Sequence, residues 1–392
     1  MHYDPLKDKT PYGAAVAGEP VAFRFALPAA ESADKVTVIL RRGAEEFRSD
    51  LRFARFEGDD IVCEGSVTAP VAGLWYYRFE SVSGGRTSYY GRGRGGCAVC
   101  GEWLPEWQLT VTKRAYKTPD WAKSGVVYQI FADRFAREGA PDFRKKGRLH
   151  ADWYDLPDIA EEGQDYRADD FFGGNAEGVI SRLDYLAELG VTTLYLSPVF
   201  LSSSNHRYDT ADYMRADELF GGDEGVKKLC SEAHKRGMRV VLDGVFNHTG
   251  ADSVYFNKFG NFDSVGAYQS KQSPYYDWYT FYDYPDSYHC WWGSTVVPTV
   301  NKDAKGFRSL VLGKGGVIDK WTKAGADGWR LDVVDELPTG FTEDLCAKIR
   351  RADRDARVIG EVWEDASDKV SYGTWRPYFM GDELDGVINY PF

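Results

Sequence analysis

DEGVKKLCSEAHKRG (223–237) and RVVLDGVF (239–246) decide the fold, because an amphipathic helix is followed at once by a buried strand. Apolar residues recur three and four positions apart in the first segment, and a glycine ends it. The same succession occurs earlier, where EGVISRLDYLAELG (177–190) precedes TTLYLSP (192–198). Buried strands that alternate with helices pair in parallel. The sequence therefore predicts an α/β fold.

Further segments have the composition of buried strands: VVYQIF (126–131), GWRLDVV (328–334), RVIGEVW (357–363) and DGVINY (385–390). Polar residues lie near the carboxyl ends of the strands, namely Asp243, Arg330, Asp332 and Glu361. A (β/α)₈ barrel gathers its active site at that rim. An open sheet would more often have a glycine-rich first turn, and none is evident. We predict a TIM-type (β/α)₈ barrel that is incomplete here, with about six strands.

Residues 1–118 have a different pattern. Short runs with period-two alternation, such as VAFRFALP and KVTVILRR, are separated by Gly, Pro and Asp. Turn signals every ten or so residues are typical of an antiparallel sandwich. We therefore predict an all-β immunoglobulin-like sandwich at 1–118, followed by the barrel at 119–392. An aromatic-rich excursion at about 250–300 is expected to wall a cleft in part, although packing within the excursion explains many of its aromatic residues equally well.

The charge and the absence of long apolar runs exclude several classes of function. A net charge of -12 argues against a nucleic-acid partner, because phosphate binding needs clustered Lys and Arg. No apolar run approaches the roughly 20 residues that a membrane span needs. The N-terminal MHYDPLKDKT lacks the apolar core of a secretory signal, so a cytoplasmic location is expected. Cys97 and Cys100 form a single CxxC without a second pair, which favours reduced thiols over a zinc site.

Asp332 and Glu361 are candidates for a catalytic carboxyl pair. Arg330 lies two residues before Asp332, and strand alternation places them side by side, so Arg330 is expected to keep this carboxylate ionised. Glu361 follows the apolar RVIG, where a raised pKa is expected. Two carboxyls about 5–5.5 Å apart can cleave a glycosidic bond with retention of configuration. Taken singly, each residue is explained as well by capping or ion pairing, and only the combination indicates chemistry.

DGVFNH (243–248), GWRLDVVD (328–335) and EVW (361–363) resemble, in the right order, three signature regions of the α-amylase family. The stretches GVVYQIFADRF, FFGGNAEGVI and SNHRYDTADY agree with the same resemblance. It covers about residues 120–392 and is greatest to the neopullulanase, cyclomaltodextrinase and maltogenic amylase branch. In that branch a β-sandwich precedes the barrel.

The resemblance implies Asp332 as nucleophile and Glu361 as general acid/base. Further positions match groups around the cleaved sugar or, for the last of them, on the leaving-group side: Arg330, His248, Asp243, His206, Tyr208 and Trp363. The implied enzyme is a retaining glycoside hydrolase. Its implied substrates are the α-1,4 bonds, with α-1,6 bonds left open, of maltooligosaccharides, cyclodextrins, pullulan or starch.

The resemblance implies no required cofactor and no metal ligand. Calcium stays open but unsupported, because AREGAPDFRKKG (136–147) lacks the Asn/Asp cluster of the family's calcium loop. The family has a third catalytic Asp near its seventh barrel strand, and no residue matches it before the sequence stops at DGVINYPF. We therefore expect a truncated fragment that is weakly active or inactive. VPTVN (297–301) lacks a Lys frequent in this branch, which leaves the subfamily open.

Two alternatives remain. One is a non-catalytic glucan-binding protein with an amylase-like barrel, against which the intact Arg330, Asp332 and Glu361 argue. The other gives the N-terminal domain a role as a glucan-binding or homodimerisation module. Trp75, Tyr76 and Tyr77 would suit sugar stacking, but alternation is expected to bury about half of such a run, so packing is favoured.

Overall fold

The structure, a computed structural model, describes residues 2–115, 117–160, 162 and 167–391. The chain divides into two compact units, one of Met1–Lys117 with Pro377–Asp382, and one of Thr118–Arg376 with Glu383–Phe392. All six cysteines are free thiols. Across the part of the chain that the structure describes, every helix is too short or too polar to cross a membrane. The functions predicted for the two domains stay predictions.

The first unit is an antiparallel β domain, as predicted. Its strands are Lys9–Thr10, Ala15–Val16, Pro20–Pro28, Lys35–Arg42, Glu45–Glu57, Asp60–Thr68, Gly73–Ser83, Arg86–Arg92, Ala98–Cys100 and Trp107–Thr112. One helical turn, Pro5–Asp8, precedes them. The long strand Glu45–Glu57 pairs with both Lys35–Arg42 and Asp60–Thr68. It thereby links the strands on either side of it into one ten-stranded sheet. Among the described strands of this unit, only the short pairing of Trp107–Thr112 with Ala15–Val16 is parallel.

An aromatic core holds this unit together. The rings of Phe25 and Phe79 stack with centroids 4.5 Å apart, and those of Tyr77 and Trp107 stack at 5.4 Å. Buried aromatic pairs of this kind add about 0.5–1.5 kcal/mol beyond their area burial. Trp75 and Tyr77 are buried, which agrees with the packing interpretation of that run.

The strand Glu45–Glu57 is absent from the sequence prediction. Its residues, EEFRSDLRFARFE, are nearly all exposed, and only Leu51 is buried. No apolar alternation therefore marks it. It is held instead by pairing on both edges and by cross-strand ion pairs such as Arg55 Nη1 to Glu64 Oε1 at 2.6 Å.

The second unit is built on a six-stranded parallel sheet that curls as a half-barrel. Its strands follow the chain order: β1 (Val126–Ile130), β2 (Val191–Leu196), β3 (Arg239–Gly244), β4 (Gly328–Leu331), β5 (Arg357–Val362) and β6 (Gly386–Asn389). Adjacent strands are parallel, with Asp243 opposite Arg330 and Leu331 opposite Gly360. The predicted α/β fold class is confirmed. Each strand begins within one residue of its predicted start.

Helices α1 (Ala176–Ser181), α2 (Leu183–Glu188), α3 (Gly222–Lys235), α4 (Lys305–Leu312), α5 (Val317–Ala324) and α6 (Thr339–Ala352) connect these strands. On α3, Val226, Leu229 and Ala233 are buried, as the three-and-four spacing predicts. The helix predicted at 177–190 is interrupted at Arg182, whose φ of -106° and ψ of 2° separate α1 from α2.

Short elements complete both units. The 3₁₀ turns are Ala29–Glu31, Arg94–Gly96, Asp120–Ala122, Ala132–Arg134, Glu218–Phe220, Tyr276–Trp278, Trp291–Gly293 and Val334–Glu336. The two-stranded ladders of the second unit pair Arg148–Leu149 with Asp170–Phe171, Phe200–Ser202 with Thr210–Ala216, Phe281–Asp283 with Ser287–Tyr288, and Val370–Ser371 with Thr374–Trp375.

The aromatic excursion lies between β3 and α4. Several of its rings form a core of their own, since Tyr255 and Trp278 are buried and stack at 5.0 Å. Trp292 behaves differently, because 67% of it is exposed. The excursion therefore combines a self-packed core with an exposed indole, and its role as a wall of the cleft stays a prediction.

Candidate active site

The candidate catalytic residues lie at the carboxyl ends of three neighbouring strands. Asp243 is the second-to-last residue of β3, and Arg330 lies in β4. Asp332 directly follows β4, and Glu361 is near the end of β5. Because these strands are parallel and adjacent, their carboxyl ends meet at one edge. The structure thus brings together the residues that the sequence singled out.

Arg330 is the centre of this cluster. Its Nη1 donates to both oxygens of Asp243, at 2.8 and 2.9 Å, and to Oδ1 of Asp332 at 2.7 Å. Its Nη2 lies 2.7 Å from Oε1 of Glu361. Asp332 and Glu361 are therefore bound to different terminal nitrogens of one planar guanidinium, which holds the two carboxyls next to each other.

The backbone after β4 also holds Glu361. The amide of Val333 donates to Oε2 of Glu361 at 2.8 Å. Val333 has φ 39° and ψ 53°, a left-handed conformation that costs energy for a β-branched residue. A Cβ on Gly360 would come 2.5 Å from the Leu384 side chain, so this glycine allows β5 to pack closely beside its carboxylate. The turn and the glycine together fix the position of Glu361.

Arg330 is expected from the sequence to keep Asp332 ionised, whereas the surroundings of this carboxyl in the structure raise its pKa. Burial and the neighbouring Asp243 carboxylate raise the pKa of Asp332, and Glu361 raises it further. Arg330 lowers that pKa, but it is one positive charge among three carboxyls. Burial also raises the pKa of Asp243, against the opposing effect of Arg330. The cluster therefore retains a proton more readily than isolated aspartates would.

Two tyrosines lie against the same carboxylate. Tyr208, predicted beside the sugar, donates its hydroxyl to Oδ2 of Asp243 at 3.2 Å. Tyr195, which the sequence analysis did not single out, donates to the same oxygen at 2.6 Å. The Arg330 guanidinium carbon lies 5.8 Å from the Tyr195 ring and 5.9 Å from the Tyr208 ring. Tyr195 is the second-to-last residue of β2 and lies between two buried leucines, so nothing in its sequence surroundings distinguishes it from a packing residue.

The two predicted histidines both lie near Tyr208. Nδ1 of His206 accepts from the Tyr208 amide at 3.1 Å, and burial lowers the pKa of His206. The His248 ring lies 5.7 Å from the Trp291 ring. Burial and the nearby Lys302 lower the pKa of His248 to about 4, so this imidazole is neutral at physiological pH.

Trp363 borders a cavity of about 290 Å³ beside Glu361. Trp363 is 45% exposed and meets Trp292 edge to face, with ring centroids 5.6 Å apart and planes at 87°. A larger cavity, of about 1000 Å³, lies beside His206 and is also lined by Trp292. Open space flanked by exposed indoles is suited to sugar rings, whose C–H faces are apolar.

The residues that would form a calcium loop are engaged otherwise. Asn175 caps α1, because its Oδ1 accepts from the Gly178 amide at 2.8 Å and from the Glu138 amide at 3.2 Å. Asp142 pairs with Arg144 at the surface. Within the described ranges, no group of three or more His, Cys, Asp or Glu side chains is placed to hold a metal ion. Calcium stays untested.

Comparison with known proteins agrees with this geometry. The sequence profile described as "Alpha amylase, catalytic domain" matches residues 129–392, and the chain belongs to the α-amylase family. It is 36% identical over 357 residues to an amylopullulanase of Thermoanaerobacterium saccharolyticum, covering 81% of this chain and 27% of that protein. It is 38% identical over 285 residues to neopullulanase 2 of Thermoactinomyces vulgaris, covering 71% of this chain and 44% of that protein. The chain thus spans less than half of either relative.

Among solved structures, a cyclomaltodextrinase aligns with a TM-score of 0.64 at 25% identity, covering all of this chain and 64% of that one. The type III pullulan hydrolase from Thermococcus kodakarensis aligns with a TM-score of 0.60 at 25% identity, covering all of this chain and 65% of that one. The predicted membership of the α-amylase family is confirmed, and so is the predicted similarity to neopullulanases and cyclomaltodextrinases.

Proposed function

We propose that this chain carries the catalytic pair of a retaining glycoside hydrolase that cleaves α-1,4 glucosidic bonds. Cleavage of α-1,6 glucosidic bonds is proposed as a second specificity. The substrates proposed are maltooligosaccharides, cyclodextrins, pullulan and starch. The observation that carries the proposal is the single Arg330 guanidinium bound at 2.7 Å to each of two carboxyls, Asp332 and Glu361. The names of the relatives, amylopullulanase, neopullulanase and cyclomaltodextrinase, support the substrate class.

The reaction proceeds in two displacements. In the first, an oxygen of Asp332 forms a bond to the anomeric carbon, the glycosidic C–O bond breaks, and protonated Glu361 gives its proton to the departing oxygen. In the second, ionised Glu361 takes a proton from water, the hydroxide attacks the anomeric carbon, and the bond to Asp332 breaks. Two inversions retain the α configuration. No cofactor is required.

Arg330, Asp243, Tyr208, His206 and His248 are proposed to surround the sugar that is cleaved. Tyr208, held through Asp243, would stack on its face, and the polar groups would bind its hydroxyls. Trp363 is proposed to contact the leaving-group sugar, because it borders the cavity beside Glu361. Homodimerisation through the N-terminal unit and a cytoplasmic location stay predictions, which sedimentation and fractionation of the native protein would test.

Covalent trapping tests the catalytic assignment. A fluorinated α-glucosyl fluoride, which forms the glycosyl-enzyme but releases it slowly, is expected to leave one glycosyl group on the peptide containing Asp332. Asp332→Asn is expected to reduce kcat by roughly four orders of magnitude or more. Glu361→Gln is expected to reduce it by roughly 10²–10⁴-fold. Asp355→Asn alters an exposed aspartate and is the matched control, which should retain the activity of the unsubstituted chain.

An adduct on another residue would refute the assignment. The alternative of a non-catalytic glucan-binding protein predicts a different outcome: maltotriose or cyclodextrin would bind, as measured by calorimetry, without release of reducing sugar and without any adduct.

A further inference from the structure

Lys302 is a buried cation at the edge of the candidate site that the proposed reaction does not use. Only 6% of it is exposed, and its Nζ donates to Oδ1 of Asn247 at 2.5 Å. No carboxylate among the described residues lies within 4 Å of Nζ to form an ion pair, and Glu336 acts on it only at longer range. A buried ammonium without a paired carboxylate is costly. We therefore expect a methionine at this position to make the fold more stable.

The hydrogen-bonding capacity of each group determines the orientation of the next. Below its pKa of about 7, Lys302 is an ammonium with donors only, so Asn247 presents its carbonyl oxygen to it. The NH₂ group of Asn247 then faces Nδ1 of His248, at 3.3 Å. That NH₂ can only donate, and therefore Nδ1 has to be the unprotonated, accepting nitrogen. In a neutral imidazole the single proton is then on Nε2.

We propose that Lys302 is a positioning residue that acts through Asn247 to fix His248 in its neutral Nε2–H tautomer. This inference rests on the proposed function and deepens it, because it sets which nitrogen of the ring at the cleaved sugar donates a hydrogen bond. The Nε2–H group would donate to a sugar hydroxyl oxygen, whereas the other tautomer would offer an acceptor there. Lys302 itself touches neither the substrate nor the reacting carboxyls.

Nitrogen-15 NMR of the ligand-free protein tests the tautomer directly. The chain contains six histidines, and the His248 signals are assigned by their loss in His248→Gln. At pH 6, where His248 is neutral, the wild type is expected to show an unprotonated Nδ1 and a protonated Nε2. In Lys302→Met the amide of Asn247 is free to turn over, and the Nδ1–H form should become populated. Lys305→Met, an exposed lysine three residues further on, should leave the signals unchanged.

A wild-type His248 that carries its proton on Nδ1 would overturn the proposal. So would a Lys302→Met protein whose tautomer matches the wild type. If Lys302→Met does not fold, Asn247→Leu removes the same connection and is expected to produce the same redistribution.

Kinetics add a second readout. Loss of the fixed tautomer should reduce kcat/KM on cyclodextrin by on the order of tenfold to a hundredfold, while Lys305→Met stays within about twofold. The histidine spectrum does not depend on turnover. A glycosyl adduct on a residue other than Asp332 would therefore refute the proposed function, whereas the tautomer measurement would still decide this inference.

Discussion

Two buried cations lie at the candidate site, and their surroundings are opposite. Arg330 is 4% exposed and contacts three carboxylates, Asp243, Asp332 and Glu361. Lys302 is 6% exposed and contacts a single neutral amide oxygen, that of Asn247. Burial is almost equal, so the difference between them comes from the neighbouring charges.

The comparison shows that imbalance of charge, rather than residue type, sets the protonation of this site. Around Arg330 negative charge is in excess, so the pKa values of Asp243 and Asp332 are raised despite the guanidinium between them. Around Lys302 no carboxylate among the described residues is close enough to form an ion pair, and burial lowers the pKa of Lys302 to about 7. Asp243 and Asp332 beside Arg330 therefore retain a proton more readily than ordinary aspartates, whereas Lys302 loses its proton more readily than an ordinary lysine.

Removing the guanidinium should have the largest effect. Arg330→Met leaves three carboxyls without a cation, and the free energy of unfolding is expected to fall by about 3–5 kcal/mol at pH 8. At pH 5 the loss should be smaller, because Asp243 and Asp332, whose pKa values are raised in the folded chain, take up protons and relieve the repulsion. Urea unfolding at the two pH values measures both.

Arg144→Met is the control for that experiment, since Arg144 pairs with Asp142 at the surface and its loss should have no measurable effect. An equal loss at pH 5 and pH 8 would mean that the carboxyls around Arg330 do not titrate as a cluster. The contrast with Lys302 would then be unfounded.

Much of the Arg330 cluster could be predicted from sequence because its spacing is local. Arg330 and Asp332 are two apart on one strand, and Glu361 ends the next strand of a parallel sheet, so period and strand order place all three at one rim. The pKa direction could not be predicted in this way. It depends on Asp243 also reaching Arg330, and the number of charges around one guanidinium follows only from the three-dimensional arrangement.

Lys302 and Tyr195 could not be identified from their sequence surroundings. Lys302 stands in VVPTVNKD, which has no helical or strand period, and a lysine there is normally solvated. Its burial arises because the excursion folds back on β3, with Thr299 bridging His248. The segment Pro377–Asp382 was missed for a similar reason, since its membership of the first unit depends on contacts distant in sequence, such as the Lys113 amide to the Met380 carbonyl.

Neutralising one acid of the cluster should have an intermediate effect. In Asp243→Asn the charge that raises the pKa of Asp332 is lost, so the pKa of Asp332 should fall. The nucleophile must be ionised, and the acidic limb of kcat/KM should therefore move to lower pH, by on the order of one unit. The residual activity on cyclodextrin, followed from pH 4 to pH 9, measures the shift, although its absolute value will be reduced.

The acidic limb of the kcat/KM profile of Asp355→Asn should coincide with that of the wild type, because this exposed aspartate lies outside the cluster around Arg330. A limb that moves to higher pH in Asp243→Asn would show that Asp243 acts on the nucleophile mainly through hydrogen bonds rather than through its charge.

The smallest effect should appear in the pH dependence of stability at Lys302. An unfolded lysine has a pKa of about 10.4, whereas burial lowers the pKa of folded Lys302 to about 7. Between these values the unfolded chain binds one more proton than the folded chain, so this residue makes stability rise with pH. In Lys302→Met that contribution is absent. The stability advantage of the methionine variant over the wild type should therefore shrink steadily from pH 7 to pH 10, as measured by urea unfolding, while Lys305→Met runs parallel to the wild type. If the difference in unfolding free energy between Lys302→Met and the wild type stays constant over this range, Lys302 keeps its proton in the folded chain. Lys302 and Arg330 would then both be stabilised as cations by their surroundings.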